Sequence, residues 1–238
     1  MNPRSSRRPV ADRAGGVQMR SSKAITLSSF FSLILCWSSA MAGELSFRYG
    51  VLSQDDQNSV FIVEQGQALK SGDLLKLNFE YPKGASFYVC YLSSADEYLL
   101  VYSTGAESRG LQETGEEAEA MYETLGWLAL DDHTGVETFI LIASTEPLSR
   151  LEELVDNYDQ AKGKSRKRFH KRITQHLKDL EDGFVKEAGV QLTQRLEKPV
   201  IAGVTFRGTT DAGLSENTLS HEASGQHLAL AVFEIGHK

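Results

Sequence analysis

The chain has 238 residues and a formal net charge of −7, with 41% hydrophobic and 24% charged residues. These values are ordinary for a folded protein with one domain of good size. The first 42 residues hold six of the 25 basic residues and one of the 32 acidic residues, so the remainder has a net charge of −12. Because an acidic surface repels phosphate backbones, we expect no nucleic-acid partner.

The first two stretches of the chain are interpreted as an extension and a targeting signal. Residues 1–18 are polar and rich in Arg, Ser and Gly, which predicts disorder or an extension wrongly placed before a natural start at Met19. Residues 19–42 have a short basic start, an apolar stretch and a small-x-small cleavage pattern that ends at Ala42. This is the pattern of a secretory signal peptide, and its apolar part is shorter than the ~20 residues of a membrane span. We therefore expect cleavage after Ala42 and a periplasmic or secreted protein.

The two cysteines give no disulfide framework. Cys36 lies in the signal-like segment, where residues 33–36 also resemble a lipoprotein box. A small residue precedes the cysteine in such boxes, whereas here it is Leu35. Cleavage would leave only Cys90, which stands in an apolar run without basic or histidine neighbours. Cys90 is therefore expected to be a buried thiol that acts as a small hydrophobic side chain.

Residues 43–160 are predicted to form a β-rich domain. Strand patterns occur at residues 45–49, 60–63, 74–81, 87–92, 97–102, 127–130 and 136–143. Residues 74–81 alternate, which predicts one buried face and one solvent face with Lys76, Asn78 and Glu80. Residues 87–92 and 136–143 are apolar on both faces, as central strands are. Pro82-Lys83-Gly84 is expected to close a hairpin, and the glutamate-rich residues 105–123 are expected to form an exposed loop.

Residues 161–238 are predicted to pack on the same domain as an amphipathic helix and a strand pair. A first helix is expected after a capping hydroxyl at Thr145. Apolar residues at helical spacing form two stripes, namely Leu148, Leu151, Leu154, Val155 and Tyr158, and then Phe169, Ile173, Leu177, Leu180 and Phe184. Strands at 200–206 and 228–235 are expected to pair with each other, with a polar loop at 209–224 between them. The predicted fold class is α+β: an antiparallel sheet or sandwich core, then two helices, then a C-terminal β pair.

The second helix carries the dense basic run of the chain, over residues 162–172. We take six of its residues as a candidate patch for an anion or a partner: Lys164, Arg166, Lys167, Arg168, Lys171 and Arg172. Such a run is commonly just the solvated face of an amphipathic helix. The alternative is a binding surface for a protein partner, for anionic lipid head groups or for cell-wall polymers.

Sequence motifs for known chemistry are missing. The chain has no Gly-x-Ser-x-Gly elbow, no Walker A loop, no dinucleotide-binding glycine pattern, no His-Glu-x-x-His and no Cys-x-x-Cys. Residues 53–58, 131–133 and 221–227 contain potential metal ligands, but none of the three segments has a ligand spacing typical of a metal site. The sequence therefore predicts no cofactor, no metal and no catalytic residue, and it favours a protein that is not an enzyme.

Several short motifs follow one another in a characteristic order. Ser71-Gly72-Asp73 leads into the alternating strand, and the aromatic pair Phe87-Tyr88 comes before a turn. After a variable loop, Gly135-x-Glu137 opens an apolar strand that ends at residues 142–144, with Pro147-Leu148 behind it. Over residues 66–155 this order resembles the bacterial DUF4384 domain, a family of unknown function. The loop departs from the family, since it is rich in glutamate instead of proline, which puts any contact made through that loop in doubt.

The resemblance implies a secreted or envelope-associated bacterial protein, and it supplies no catalytic residue. Together with the signal-like segment, it leads us to expect an exported envelope protein that binds a protein partner or ligand. Two alternatives stay open. The first is a periplasmic hydrolase with a scattered active site, using His133 or His221. The second is association with a membrane or cell-wall surface through residues 162–172.

Overall fold

A computed structural model describes residues 45–54, 58–104, 120–188, 192–201 and 215–238. The strands are β1 (Leu45–Gln54), β2 (Val60–Ile62), β3 (Ala68–Leu69), β4 (Leu74–Pro82), β5 (Ser86–Leu92), β6 (Tyr98–Ser103), β7 (Ala120–Ala129), β8 (Gly135–Ser144), β9 (Leu192–Ile201), β10 (Thr218–Gly225) and β11 (Leu228–His237). The helices α1 (Ser149–Gln160) and α2 (Lys164–Ala188) lie between β8 and β9. The proposed signal segment falls outside the described residues.

The strands form two sheets. The first sheet has the order β7-β4-β1-β10-β9, with β2 paired to the end of β1, and the second has the order β3-β11-β8-β5-β6. All pairings are antiparallel except the short parallel pair of β3 with β11. In the first sheet, Phe47 of β1 lies opposite Ala223 of β10, and in the second, Val89 of β5 lies opposite Leu141 of β8.

The inner faces of the two sheets pack against each other as a sandwich. The strands of the first sheet contribute alternate apolar residues, as their period of two dictates. The inward side chains include Phe47, Tyr49, Leu77, Phe79, Tyr81, Phe87, Phe139, Leu141 and Phe233. Phe79 stacks on Phe87 with ring centroids 4.9 Å apart, and Phe87 stacks on Tyr81 at 4.7 Å, so aromatic rings join the two sheets.

The outer face of the second sheet is covered by the two helices. Tyr88 and Ile142 of the sheet meet Leu151, Leu154 and Ile173 of the helices in a second buried cluster. This explains why β5 and β8 are apolar on both faces, and it confirms both helical stripes. Cys90 is buried in the same layer, as expected, and burial raises the pKa of its thiol to about 12, which keeps it protonated and unreactive. No helix among the described residues is long and apolar enough to cross a membrane.

The start of α1 differs from the expectation of a capping hydroxyl at Thr145. The helix begins at Ser149 after Leu148, and no side chain caps it there. Instead, the Tyr88 hydroxyl accepts the Leu148 N–H at 2.9 Å and donates to Glu152 Oε1 at 2.9 Å. Tyr88 of β5 thus forms the hydrogen bonds at the start of α1 that a local capping residue would otherwise form.

The predicted fold class is confirmed: the described residues form an α+β sandwich with two helices and a C-terminal pair of strands, β9 with β10. The expected hairpin at Pro82-Lys83-Gly84 is wrong. The turn exists, with Gly84 at φ +88°, but it carries the chain from β4 in the first sheet to β5 in the second. Of the loop expected at 105–123, residues 105–119 lie outside the described part, and residues 120–123 belong to β7.

The pairing expected for the last strands is also wrong. Val200 of β9 lies opposite Leu219 of β10, and β11 lies between β3 and β8 in the other sheet. Residues 218–224, expected to be loop, are strand β10, and residues 202–206 lie outside the described part. The strand β10 could not be recognised in the sequence, because its small side chains give no clear alternation of apolar and polar residues.

Residues 215–218 cross the outer face of the first sheet. Asn78 Nδ2 donates to the carbonyl oxygens of Glu216 at 2.8 Å and Thr218 at 3.3 Å, and Lys76 Nζ lies 3.2 Å from Glu216 Oε2. Lys76 and Asn78 are buried under this segment, so the expectation that they face solvent is wrong. Gly50 permits the close approach, since a Cβ there would lie 2.2 Å from the Thr218 carbonyl oxygen.

Candidate functional site

Five of the six basic residues singled out by sequence are exposed near the start of α2: Lys164, Lys167, Arg168, Lys171 and Arg172. We call these five residues the basic face. Arg166 does not belong to it. Its Nη2 lies 3.4 Å from Glu97 Oε1, and its guanidinium lies 4.5 Å from the ring of Tyr158, so it is occupied in holding α2 against its neighbours.

The basic face is not neutralised within the protein. The sequence has no acidic residue from 161 to 178, and among the described residues no carboxylate lies within 4.0 Å of any of the five charges. The first turn of α2 also lacks an acidic residue, so the basic side chains there are repelled by the positive end of the helix dipole. The buried residues Ile173, Leu177 and Phe184 fix the opposite side of α2 to the sheet. The result is a positive surface on a rigid support.

The potential metal ligands named from the sequence do not come together at one site among the described residues. In the 131–133 turn, His133 Nδ1 lies 3.1 Å from Asp131 Oδ2, and the backbone N–H of His133 is the largest cause of a lowered pKa at Asp131. Asp55 and Asp56 lie outside the described residues. Across the described ranges, no group of three or more His, Cys, Asp or Glu side chains is placed to hold a metal ion.

His221 lies inside the sandwich and not in a loop. Its ring stacks on Tyr49 at 5.0 Å between centroids, and its Nδ1 lies 2.9 Å from Ser220 Oγ. Burial is the main cause of the lowered pKa of its imidazole, Arg195 lowers it further, and Glu64 acts in the opposite direction. His221 is thus a core residue, which contradicts its use as a catalytic base at the surface.

The lowered pKa of His221 predicts a pH dependence of stability. Because the folded state disfavours the charged imidazole, the unfolded chain binds the extra proton more readily, and the free energy of unfolding should fall as the pH drops through about 6.5. We expect His221→Phe to flatten this slope in urea unfolding curves measured from about pH 8 to pH 5. His227→Gln, at an exposed histidine that forms no ion pair among the described residues, should leave the slope unchanged; equal slopes in all three proteins would contradict the assignment.

A buried polar cluster lies at one end of the sandwich, where the inner face of the second sheet ends. Glu137 and His237 point inward from β8 and β11, as diagonal neighbours across the ladder in which Glu137 pairs with Ile235. Both are almost fully buried, at 1% and 3% exposure. His237 Nδ1 lies 3.2 Å from Glu137 Oε1. We call these two residues, with Ser71, Tyr91 and Ser94, the end network.

The hydrogen bonds of the end network fix the direction of each donor. Glu137 Oε2 accepts from the Tyr91 hydroxyl at 2.6 Å and from the Ser94 N–H at 3.0 Å. With an ionised carboxylate, which only accepts, the matching tautomer of His237 is the one in which Nδ1 donates to Oε1. In the neutral ring Nε2 is then an acceptor, and it lies 3.1 Å from Ser71 Oγ. Serine, imidazole and carboxylate therefore form one chain of hydrogen bonds.

Sequence reasoning did not identify this cluster. Ser71 and His237 are 166 residues apart, and Glu137 and His237 are 100 residues apart. Ser71 and Glu137 belong to the motifs that carry the resemblance, but His237 belongs to none. One feature of the sequence could have identified Glu137 and His237. Each occupies a position of its strand that alternation places on the inward face, together with apolar residues.

A groove between α2 and the second sheet is lined by Ser144, Asp179, Phe184 and His227, among others. It includes none of the basic face or the end network. Although it holds a serine, an aspartate and a histidine, Asp179 and His227 form no ion pair with each other or with other described residues. Ser144 Oγ accepts the N–H of Glu146 at 3.3 Å. The groove therefore does not assemble a nucleophile with a base.

Comparison of the chain with models of protein families, with curated proteins and with solved structures finds no match. The resemblance to the DUF4384 domain therefore stays a prediction. The fold defines an α+β sandwich protein with a helical layer.

Proposed function

We propose that the protein is an exported envelope protein that binds a protein partner with an acidic surface through the basic face of α2. The observation that carries this proposal is a set of five exposed bases with no carboxylate beside them among the described residues. A helix that served only to cover the sheet would gain stability from acids in its first turn, and α2 has none there. Unpaired charge at that position favours a role outside the fold.

The charge of the rest of the chain supports a specific anionic partner. Outside the first 42 residues the net charge is −12, so the basic face is an exception on an acidic body. An acidic body repels polyanions such as nucleic acids at long range, while a local positive surface attracts a partner whose acidic groups match it in position. Export through the proposed signal segment also separates the protein from nucleic acid.

The experiment is cross-linking in intact cells, followed by mass spectrometry of the products. Lys164→Glu/Arg168→Glu should weaken the binding of the partner by roughly thirtyfold, since two charge contacts at about 1 kcal/mol each are lost, and the dominant cross-linked protein should fall with it. Lys83→Glu/Lys198→Glu changes the net charge equally at exposed sites outside the basic face, and should leave the cross-link intact. Equal loss in both variants, or a product that persists in the first, would contradict the proposal.

Association with a membrane surface through the same face is the second candidate, because clustered Lys and Arg on an amphipathic helix also attract anionic lipids. Sedimentation with vesicles that contain phosphatidylglycerol separates the two. Binding that is lost in Lys164→Glu/Arg168→Glu and kept in Lys83→Glu/Lys198→Glu would assign the basic face to lipid. Without such binding, a cross-linked protein lost in the same variant assigns the face to a protein partner.

A further inference from the structure

We propose that Ser71, His237 and Glu137 form a nucleophile, base and carboxylate that hydrolyse an O-acyl ester. Ser71 Oγ lies 3.1 Å from His237 Nε2, and His237 Nδ1 lies 3.2 Å from Glu137 Oε1. Activated serines share this arrangement: the nucleophile lies within hydrogen-bond reach of a base, and a third group orients the base. This activity goes beyond the proposed binding role. It also differs from the prediction, based on the missing sequence motifs, that the protein is not an enzyme.

Glu137 is suited to position the base. Its two oxygens receive three donors, from Tyr91, Ser94 and His237, so the carboxylate has one orientation. Burial against this carboxylate also raises the pKa of the Tyr91 hydroxyl, which keeps Tyr91 a donor. With Nδ1 bound to Oε1, the neutral imidazole presents its free lone pair to Ser71.

The backbone holds the serine and the histidine at a fixed separation. On either side of His237, Gly236 N–H donates to Gln67 O at 2.9 Å and Lys238 N–H donates to Leu69 O at 2.9 Å. Ser71 follows two residues after Leu69, in a turn where Gly72 has φ +86°. His237 therefore lies in the short parallel pair of strands, and Ser71 lies in the turn that directly follows its partner strand β3.

The exposure of Ser71 and the hydrogen-bond donors around it determine the expected rate of hydrolysis and the kind of ester. Ser71 is exposed, so its hydroxyl can reach an ester at the protein surface. The N–H groups of Gly72 and Asp73 donate to the carbonyls of Leu130 and Lys70, so neither can bind an oxyanion. Since such donors contribute about 10²–10³ in rate, turnover should be slow, and the ester should carry a small acyl group that needs no deep pocket.

The reaction balances without any further cofactor. Ser71 Oγ attacks the ester carbonyl carbon while its proton passes to His237 Nε2. The carbon–oxygen bond to the leaving alcohol then breaks, and Nε2 returns the proton to that alcohol. Water repeats the two steps on the acyl-serine, which releases the carboxylic acid and restores the serine. Glu137 stabilises the imidazolium during both steps and keeps its own charge.

The test is covalent labelling of the folded full chain with a fluorophosphonate, mapped by mass spectrometry. We expect one adduct, on Ser71, and an acetyl group on the same residue after incubation with p-nitrophenyl acetate. Ser71→Ala should abolish both modifications, and Ser165→Ala, at an exposed serine of α2, should change neither. Ester cleavage alone is a poor readout, because exposed imidazoles such as His133 also cleave p-nitrophenyl acetate.

Glu137→Gln separates positioning from folding. As a positioning residue, it should lower the maximal rate of Ser71 labelling by at least about tenfold, with the half-saturating concentration unchanged. Loss of folded protein would instead lower the fraction of chains that can be labelled at all. Label spread evenly over exposed serines, or equal rates at Ser71 and Ser165, would overturn the proposal.

Discussion

Phe79→Ala is expected to lower the free energy of unfolding by about 3–5 kcal/mol, the usual cost of removing a buried phenylalanine. Phe79 is 0% exposed at the centre of the sandwich. Its ring stacks on Phe87 and meets Tyr102 edge-on, both with centroids 4.9 Å apart. The substitution therefore removes contacts to both sheets and leaves a cavity that neither sheet can close. Denaturant unfolding followed by circular dichroism gives the difference.

Leu99→Ala is the matched control for that measurement. Leu99 lies on the edge strand β6 and is 46% exposed, so its truncation removes an apolar side chain with little cavity. We expect a loss below about 1 kcal/mol. If both variants lose the same amount, the inner faces of the sheets are not packed as described.

Glu137→Ala is expected to cost about 3–5 kcal/mol, because it removes one partner from a buried charged network. The Tyr91 hydroxyl, the Ser94 N–H and the His237 Nδ1–H would each lose their acceptor, and the His237 bond is the fully buried one of the three. The strands β5, β8 and β11 should separate more easily at that end. Hydrogen exchange of the Gly236 and Lys238 amides, which donate to Gln67 and Leu69, would report the loosening of β11 at that end.

Glu146→Ala, at an exposed glutamate just after β8, is the control for the loss of a carboxylate. Its expected effect lies within about 0.5 kcal/mol of zero. A Glu137→Ala protein as stable as this control would mean that the end network adds nothing to the fold.

Local patterns predicted those parts of the fold whose environment is set by neighbouring residues. The two apolar faces of β5 and β8 showed that both sides are covered, and the helical stripes showed which side of each helix packs. Local sequence patterns did not predict that the strands divide into two sheets that pack face to face. The turn at Pro82–Gly84 has the same residues whether it closes a hairpin or joins two sheets.

The misassigned residues are those covered by distant parts of the chain. Lys76 and Asn78 alternate with apolar residues, as solvent-facing positions do, yet they contact Glu216, which lies 140 and 138 residues further along. Arg166 is another such case, since it was grouped with the five exposed bases but contacts Glu97 and Tyr158, which come from other elements. The end network depends on the same kind of contact, so a sequence scanned for short motifs did not show it.

The pairing of β1 with β10, and of β11 with both β3 and β8, also determines when the protein can fold. Each sheet needs strands from the beginning and from the end of the described chain, so neither core can close until residue 237 has left the ribosome. Contacts this distant in sequence form slowly, on a scale of about milliseconds to seconds. The sandwich is thus completed only after the last strand of the chain has been synthesised.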